Sequence, residues 1–214
     1  MLAMTDATPS PRWRRRSDAR PEEILDAALA EFNAKGFDAA RMEDIAKRAG
    51  LSKAGVYLYF PSKEAVLKAL IEARVAPIAT LARASFLAGL SDPTATLKQV
   101  GAMLAQRLSQ PEVFAVPRLV LGLAGRYPEL ADFYREHVAG VARAALENLI
   151  AEGIRKGQFR DVDPALATRA LIGAVLFEML WTHILRGEPE SDIDGWARAQ
   201  IDFVLQGLLK ERTS

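Results

Sequence analysis

The residues able to do chemistry gather in the stretch LSKAGVYLYFPSKEAV, residues 51–66. Lys53, Tyr57, Tyr59 and Lys63 fall within it, interleaved with the apolar Val56 and Phe60. Residues four apart share a helical face, so Val56 and Phe60 predict a short helix with one side against a core. The tyrosines and lysines are then left for water. Ammonium and phenol groups in that arrangement suit hydrogen bonding to phosphates rather than nucleophilic or metal chemistry. The same residues would also fit an ordinary helical hairpin carrying surface tyrosines, which are amphipathic and often half-buried. Elsewhere the chain offers little for catalysis. It has no cysteine, and its two histidines, His137 and His183, lie far apart. Neither sits with carboxylates at a metal-ligand spacing such as H-E-x-x-H. Glu147 with Glu152, or Glu178 with His183, is too loosely patterned to signal an active site. No enzyme activity, catalytic residue, metal or cofactor is expected.

The elements that must position this stretch read as helices. Leu25, Ala28, Leu29 and Phe32 follow the i, i+3, i+4, i+7 spacing of one helical face. Pro21 suits the first turn of that helix, with Glu22 and Glu23 at its positive end. Gly36 supplies a stop, and Phe37 is placed for the apolar clasp that accompanies one. Met42, Ile45, Ala46 and Ala49 predict a second short helix ended by Gly50. Residues 52–60 make a third, and Ser62, with Pro61 just before it, caps a fourth. Only GLS separates the second from the third, a joint short enough to force a sharp angle. That is the sequence form of a helix-turn-helix. Its third helix would enter a DNA major groove, and the free amides at Ser62 and Lys63 would offer an anion site. Further helices are predicted near 62–88, 94–108, 112–125, 128–152, 163–186 and 191–210. Asp before Pro in SDPT and DVDPA, and Pro128 in RYPEL, mark three of the starts. No stretch alternates with a period of two. The fold class is therefore all-α, with a basic flexible extension over 1–19, a helix-turn-helix domain over 20–66 and a larger helical domain over 67–214.

Composition fits a soluble cytoplasmic chain of 214 residues, 50% hydrophobic and 26% charged, with a formal net charge of +1. No apolar run reaches the ~18 residues needed to span a bilayer. The greasiest segment, ALIGAVLFEMLW, carries Glu178, and the N-terminus has no apolar core of a signal peptide. The lack of cysteine fits a reducing compartment. Charge is nevertheless uneven. RWRRRSDAR, residues 12–20, holds five arginines against one aspartate. A neutral chain with a concentrated basic end suggests a local polyanion contact; a solubilising tail would have the same composition.

Residues 20–70 resemble the N-terminal domain of the TetR family of bacterial transcriptional regulators. The family pattern runs like DIAKRAGVSKGTLYHYFPSKEAL, and this chain has GFDAARMEDIAKRAGLSKAGVYLYFPSKEAV in unbroken order. The resemblance implies that Lys53 and Ala54 open the recognition helix, where base edges are read. Tyr57 and Tyr59 match the phosphate-contacting aromatic pair, with Tyr57 also within reach of a thymine methyl. Lys63 matches a phosphate contact at the start of the fourth helix. Ser52, Gly55 and Leu58 complete the implied DNA-facing set. Two departures stand out. Gly55 replaces the usual Thr and its phosphate-bonding hydroxyl. Arg41 stands where Ser or Thr usually caps the second helix, and its guanidinium offers a phosphate contact instead. The resemblance also implies that Arg14, Arg15 and Arg16 reach the minor groove or flanking backbone.

From residue 75 the resemblance weakens, although PRLVLGLAGRYPELADFYREHV (117–138) is similar to a subgroup that controls multidrug efflux genes. The family implies a homodimer on a palindromic operator, with recognition helices about one DNA turn (~34 Å) apart. Residues 163–186 are apolar nearly all round, more than one packed face explains. In the last helix Ala197, Ile201, Val204 and Leu208 are spaced four, three and four, like a helical seam, with Leu205 beside them. These are the expected dimer interface, and packing inside one chain is the alternative. Phe114, Arg118, Tyr127, Phe177, Trp181 and His183 are the candidate lining of a site for a hydrophobic or aromatic inducer. The implied mechanism is repression relieved when that ligand shifts the fourth helix. A DNA-bound scaffold of the same fold, with a protein partner in place of the small molecule, is the alternative function.

Overall fold

The computed structural model describes residues 14–108, 110–185, 187 and 192–209. Every regular element among them is helical. In chain order these are α1 (Arg14–Lys35), α2 (Met42–Arg48), α3 (Lys53–Tyr57), α4 (Lys63–Leu70), α5 (Ala76–Ala88), α6 (Pro93–Leu108), α7 (Pro111–Leu123), α8 (Pro128–Tyr134), α9 (Gly140–Arg155), α10 (Pro164–His183) and α11 (Ile193–Leu208). Wide π-helical turns join α4 to α5 (Ile71–Val75) and α8 to α9 (Arg135–Ala139). The chain divides into two compact units after Val66, inside α4.

In the first unit, α1 buries Ile24, Leu25, Ala28 and Phe32. It begins at Arg14, earlier than Pro21 predicts, and Pro21 lies inside it. A proline inside a helix removes one i→i−4 hydrogen bond, here to the Ser17 carbonyl. Arginine is a good helix former, so the basic run carries the helix through. Residues 1–13 of the predicted extension lie outside the described residues.

Gly36 ends α1 at φ 80° and Gly50 ends α2 at φ 68°, a region costly for any residue with a Cβ. Phe37 folds back so that its ring centroid lies 5.1 Å from that of Phe32. Ile45 and Ala46 of α2 and Val56 of α3 complete this core.

One buried acid ties α1 to α2. Glu31, 5% exposed, receives Lys35 at 2.8 Å and Arg48 at 2.7 Å, and Lys35 also reaches Asp44 at 3.0 Å. The hydrogen bonds from Lys35 and then Arg48 hold the Glu31 carboxyl below the usual carboxylate range. A carboxyl depressed in the folded state takes up its proton later than it does unfolded. Its contribution is therefore complete above the unfolded value of about 4.3 and is lost as pH falls through the lower folded value. Thermal melts in a pH series should show an acid-side loss in the wild type that Glu31→Gln lacks. An identical acid limb in both proteins would exclude this pair as its source.

In the second unit, short polar caps start the helices. The Asp92 carboxylate accepts the Ala95 amide at 3.1 Å, Asp163 that of Ala165 at 2.8 Å, and Asp192 that of Gly195 at 2.8 Å. Proline stands at the first position of α6, α8 and α10. The wide turn before α5 has its own cause. Pro77 lacks an N–H, and its ring would crowd the carbonyl four residues before it. The turn widens instead, and the Ala76 amide bonds Ile71 five residues back.

The core of this unit joins Phe86, Leu97, Leu149, Ile150 and Phe159 with Ile201, Leu205 and Leu208. Of the seam expected on α11, Ile201, Leu205 and Leu208 face this core, and half-buried Val204 packs against it. The Ala197 side chain lies outside the described residues. The uncovered apolar surface is elsewhere, on Ile172, Leu176, Phe177, Trp181, Ile184 and Leu185 of α10 and its C-terminal end, with Phe203 of α11 75% exposed. By length and composition α10 would also pass as a membrane span, although Arg169 and Glu178 interrupt its apolar run.

Candidate DNA-binding face

The joint between α2 and α3 is built from backbone bonds and one side chain. The Leu51 amide donates to Ala46 O at 2.9 Å and the Gly50 amide to Lys47 O at 3.2 Å, which closes α2. Ser52 then turns the chain into α3, its hydroxyl accepting the Gly55 amide at 3.0 Å. Val56 points wholly inward, while Phe60 is half-buried rather than core. The opposite side of α3 and its C-terminal turn present Lys53, Ala54, Tyr57, Leu58 and Tyr59 to solvent. Leu58 is 84% exposed, beside Tyr57 at 43% and Tyr59 at 37%. Gly55 is half-buried against the Ser52 cap.

An open cleft of about 350 Å³ lies beside α3. It brings Arg41, Tyr57 and Lys63, singled out separately in the sequence, to one place, together with Glu43, Ser62 and Glu64. Arg41 is the extended residue before α2, and its side chain makes no capping bond there. Ser62 caps α4 by accepting the Ala65 amide at 3.2 Å. The lining carries both signs, Arg41 and Lys63 against Asp38, Glu43 and Glu64, so it is the amides at the start of α4 and the two cations beside them that suit an anion.

Lys63 has a second task that the sequence did not show. Its ammonium donates to Phe37 O at 2.7 Å and Asp38 O at 3.0 Å, and it sits 4.9 Å from the Phe37 ring centroid. An ammonium has three donors, so these two bonds leave one. Glu43, absent from the predicted set, holds Lys53 at 2.5 Å. No sequence spacing signals this pair, because the turn between α2 and α3 creates it.

Arg14, Arg15 and Arg16 open α1, but their side chains lie outside the described residues. Two pairs among the six candidate inducer contacts come together. Phe114 is buried on α7 and stacks on His183 with ring centroids 5.0 Å apart. Phe177 and Trp181 stack on each other at 6.4 Å, on the exposed side of α10. Arg118 is exposed and Tyr127 is half-buried before α8. Among the described residues, no group of three or more His, Asp or Glu could hold a metal ion.

Residues 24–70 match the profile of bacterial regulatory proteins of the tetR family, and residues 95–206 that of the AefR-like transcriptional repressor C-terminal domain. The Escherichia coli K12 regulator RutR is 31% identical over 153 residues, 68% of this chain and 67% of its own length. The chain belongs to the TetR family. YfiR of Bacillus subtilis is 46% identical over 55 residues, although that match spans only 27% of YfiR. A TetR-family regulator from Mesorhizobium loti superposes with a TM-score of 0.74 at 25% identity, over 91% of this chain and 99% of its own. The protein is thus a helix-turn-helix transcriptional regulator, and its relatives are regulators rather than enzymes.

Proposed function

We propose that this TetR-family protein is a homodimeric repressor that binds a palindromic operator inside the cell and is released by a small hydrophobic or aromatic molecule. One observation carries the DNA reading. The exposed row Lys53, Tyr57 and Tyr59 stands on a short helix and its C-terminal turn, with Val56 fully buried beneath, beside a cleft that Arg41 and Lys63 help to line. Polar groups on a rigid support can hold a fixed register on phosphates. The dimer reading rests on the uncovered apolar face of α10 and Phe203, since monomers seldom leave so much apolar surface in water. A second copy of the same face would cover it. Buried Phe114, stacked on half-buried His183, supports an apolar, aromatic environment for a ligand. Ligand release requires tighter binding to the form that does not hold DNA, with a typical coupling of about 1–3 kcal/mol.

Selection of binding sites from a random DNA pool tests the reader and the dimer together. The expected product is one enriched sequence with two inverted half-sites about one helical turn apart. A single unrepeated half-site would remove the dimer. Enrichment of no sequence would remove the operator reading itself. The exposed α10 face would equally serve a scaffold's protein partner, and release of the operator complex by a hydrophobic or aromatic small molecule would decide against that alternative.

A further inference from the structure

Glu43 grips the first residue of the helix that meets the bases. Its Oε1 lies 2.5 Å from Lys53 Nζ, and both side chains stay in water, 51% and 59% exposed. The ammonium also lies 5.8 Å from the Tyr57 ring centroid, so it is fixed from two sides. Through this bond Glu43 raises the Lys53 pKa, and Lys53 lowers that of Glu43. The pair stays charged at neutral pH, with its net charge cancelled.

Cancelling the charge does not cancel the hydrogen bonds. An ammonium has three donors, and Glu43 occupies one. Phosphates attract an unpaired lysine on any DNA sequence, because that attraction is charge alone. Base acceptors such as guanine O6 and N7 occur only at particular base pairs. A lysine neutralised by a neighbour and held in place therefore gains little from random DNA. It still gains from a base acceptor at the right point.

Resting on the operator-binding reading, we propose that Glu43 is a specificity-determining residue that turns Lys53 from a general phosphate attractant into an oriented donor. Glu43 contributes by weakening the wrong complexes, a recognised route to discrimination.

The test compares wild type, Glu43→Gln and Glu23→Gln on the selected operator and on unrelated DNA of equal length across a salt series. Glu23 is the control, an exposed carboxylate of the same unit that neither lines the cleft nor holds Lys53. Glu43→Gln should tighten binding to unrelated DNA about three- to tenfold and steepen its salt slope by up to about 0.9, the value for one added phosphate contact. The operator should gain less, so the ratio of the two affinities should fall. Glu23→Gln should leave the ratio near wild type, and Lys53→Gln should abolish the effect of Glu43→Gln. An unchanged ratio in Glu43→Gln overturns the proposal. So does an equal change in Glu23→Gln, which would make the effect one of overall charge. If the wild type enriches no operator, the operator reading fails first and this inference falls with it. Thermal melts confirm that each variant is folded.

Discussion

Lys63→Met is expected to weaken operator binding tenfold or more and to lower the melting temperature of the first unit at the same time. Both effects come from one ammonium. Its bonds to Phe37 O and Asp38 O, at 2.7 and 3.0 Å, clasp the turn that follows α1. Hydrogen bonds to a charged group contribute about 1.5–3 kcal/mol each, and these carbonyls are open enough for water to replace part of that. Lys63 also lines the cleft beside α3. Losing a charge-assisted phosphate bond of the same size costs about one order of magnitude or more in affinity. The salt dependence separates the two tasks. If Lys63 touches a phosphate, the slope of log affinity against log salt should become shallower by about 1 in the variant. Loss of affinity with an unchanged slope would make Lys63 a clasp only. Fluorescence anisotropy with labelled operator and a melt of the same samples supply both readings.

Phe32→Ala is expected to unfold the first unit while leaving the second helical. Phe32 is 1% exposed and packs against the Phe37 ring at 5.1 Å, where the end of α1 meets the turn into α2. Replacing a buried Phe by Ala costs about 3–5 kcal/mol, from lost transfer energy and the cavity left behind. Whole domains are stable by only about 5–15 kcal/mol, so this removes much of the margin. DNA binding should vanish, and limited proteolysis should cut within residues 14–66 while fragments from 67 onward persist. Leu58→Ala is the counterpart. At 84% exposure its effect on stability should stay within about 0.5 kcal/mol. Protection of 14–66 in Phe32→Ala would show that the core of this unit is held chiefly by other residues.

The parts legible in the sequence are those fixed by neighbours along the chain. Asp92 and Asp163 cap helices three residues or fewer away, and Gly36 and Gly50 stop α1 and α2 within one turn. The exposed row on α3 and its C-terminal turn is legible for the same reason, since Lys53 to Lys63 is one continuous stretch. What the sequence hid depends on residues far apart. On α11 the four-three-four apolar spacing is real, but only the fold decides whether α6 and α9 or a second chain covers it. The aromatic candidates share a chemical type but not a place. On α10, His183 lies roughly 200° around the helix from Trp181, so the two face different surroundings. The Glu43–Lys53 pair joins residues on two helices that meet across a turn. Pro21 misled because a proline can start a helix or sit within one, and only the arginine-rich run before it decided which.

The wide turn between α4 and α5 makes helix length negotiable at one address. The buried residues Leu67, Ile71, Val75 and Ala79 recur every fourth position, a spacing that would drift around a regular helix. The extra residue accommodated at Ile71–Val75 takes up that drift, so the residues on either side still face their cores. Losing one residue there, together with Pro77, would shorten the rod while keeping both flanks in phase. Losing one between Ala79 and Phe86 would turn everything beyond it by about 100°. Relatives that differ in length along this helix should therefore carry their gap at Ile71–Val75, and those without the extra residue should also lack the proline.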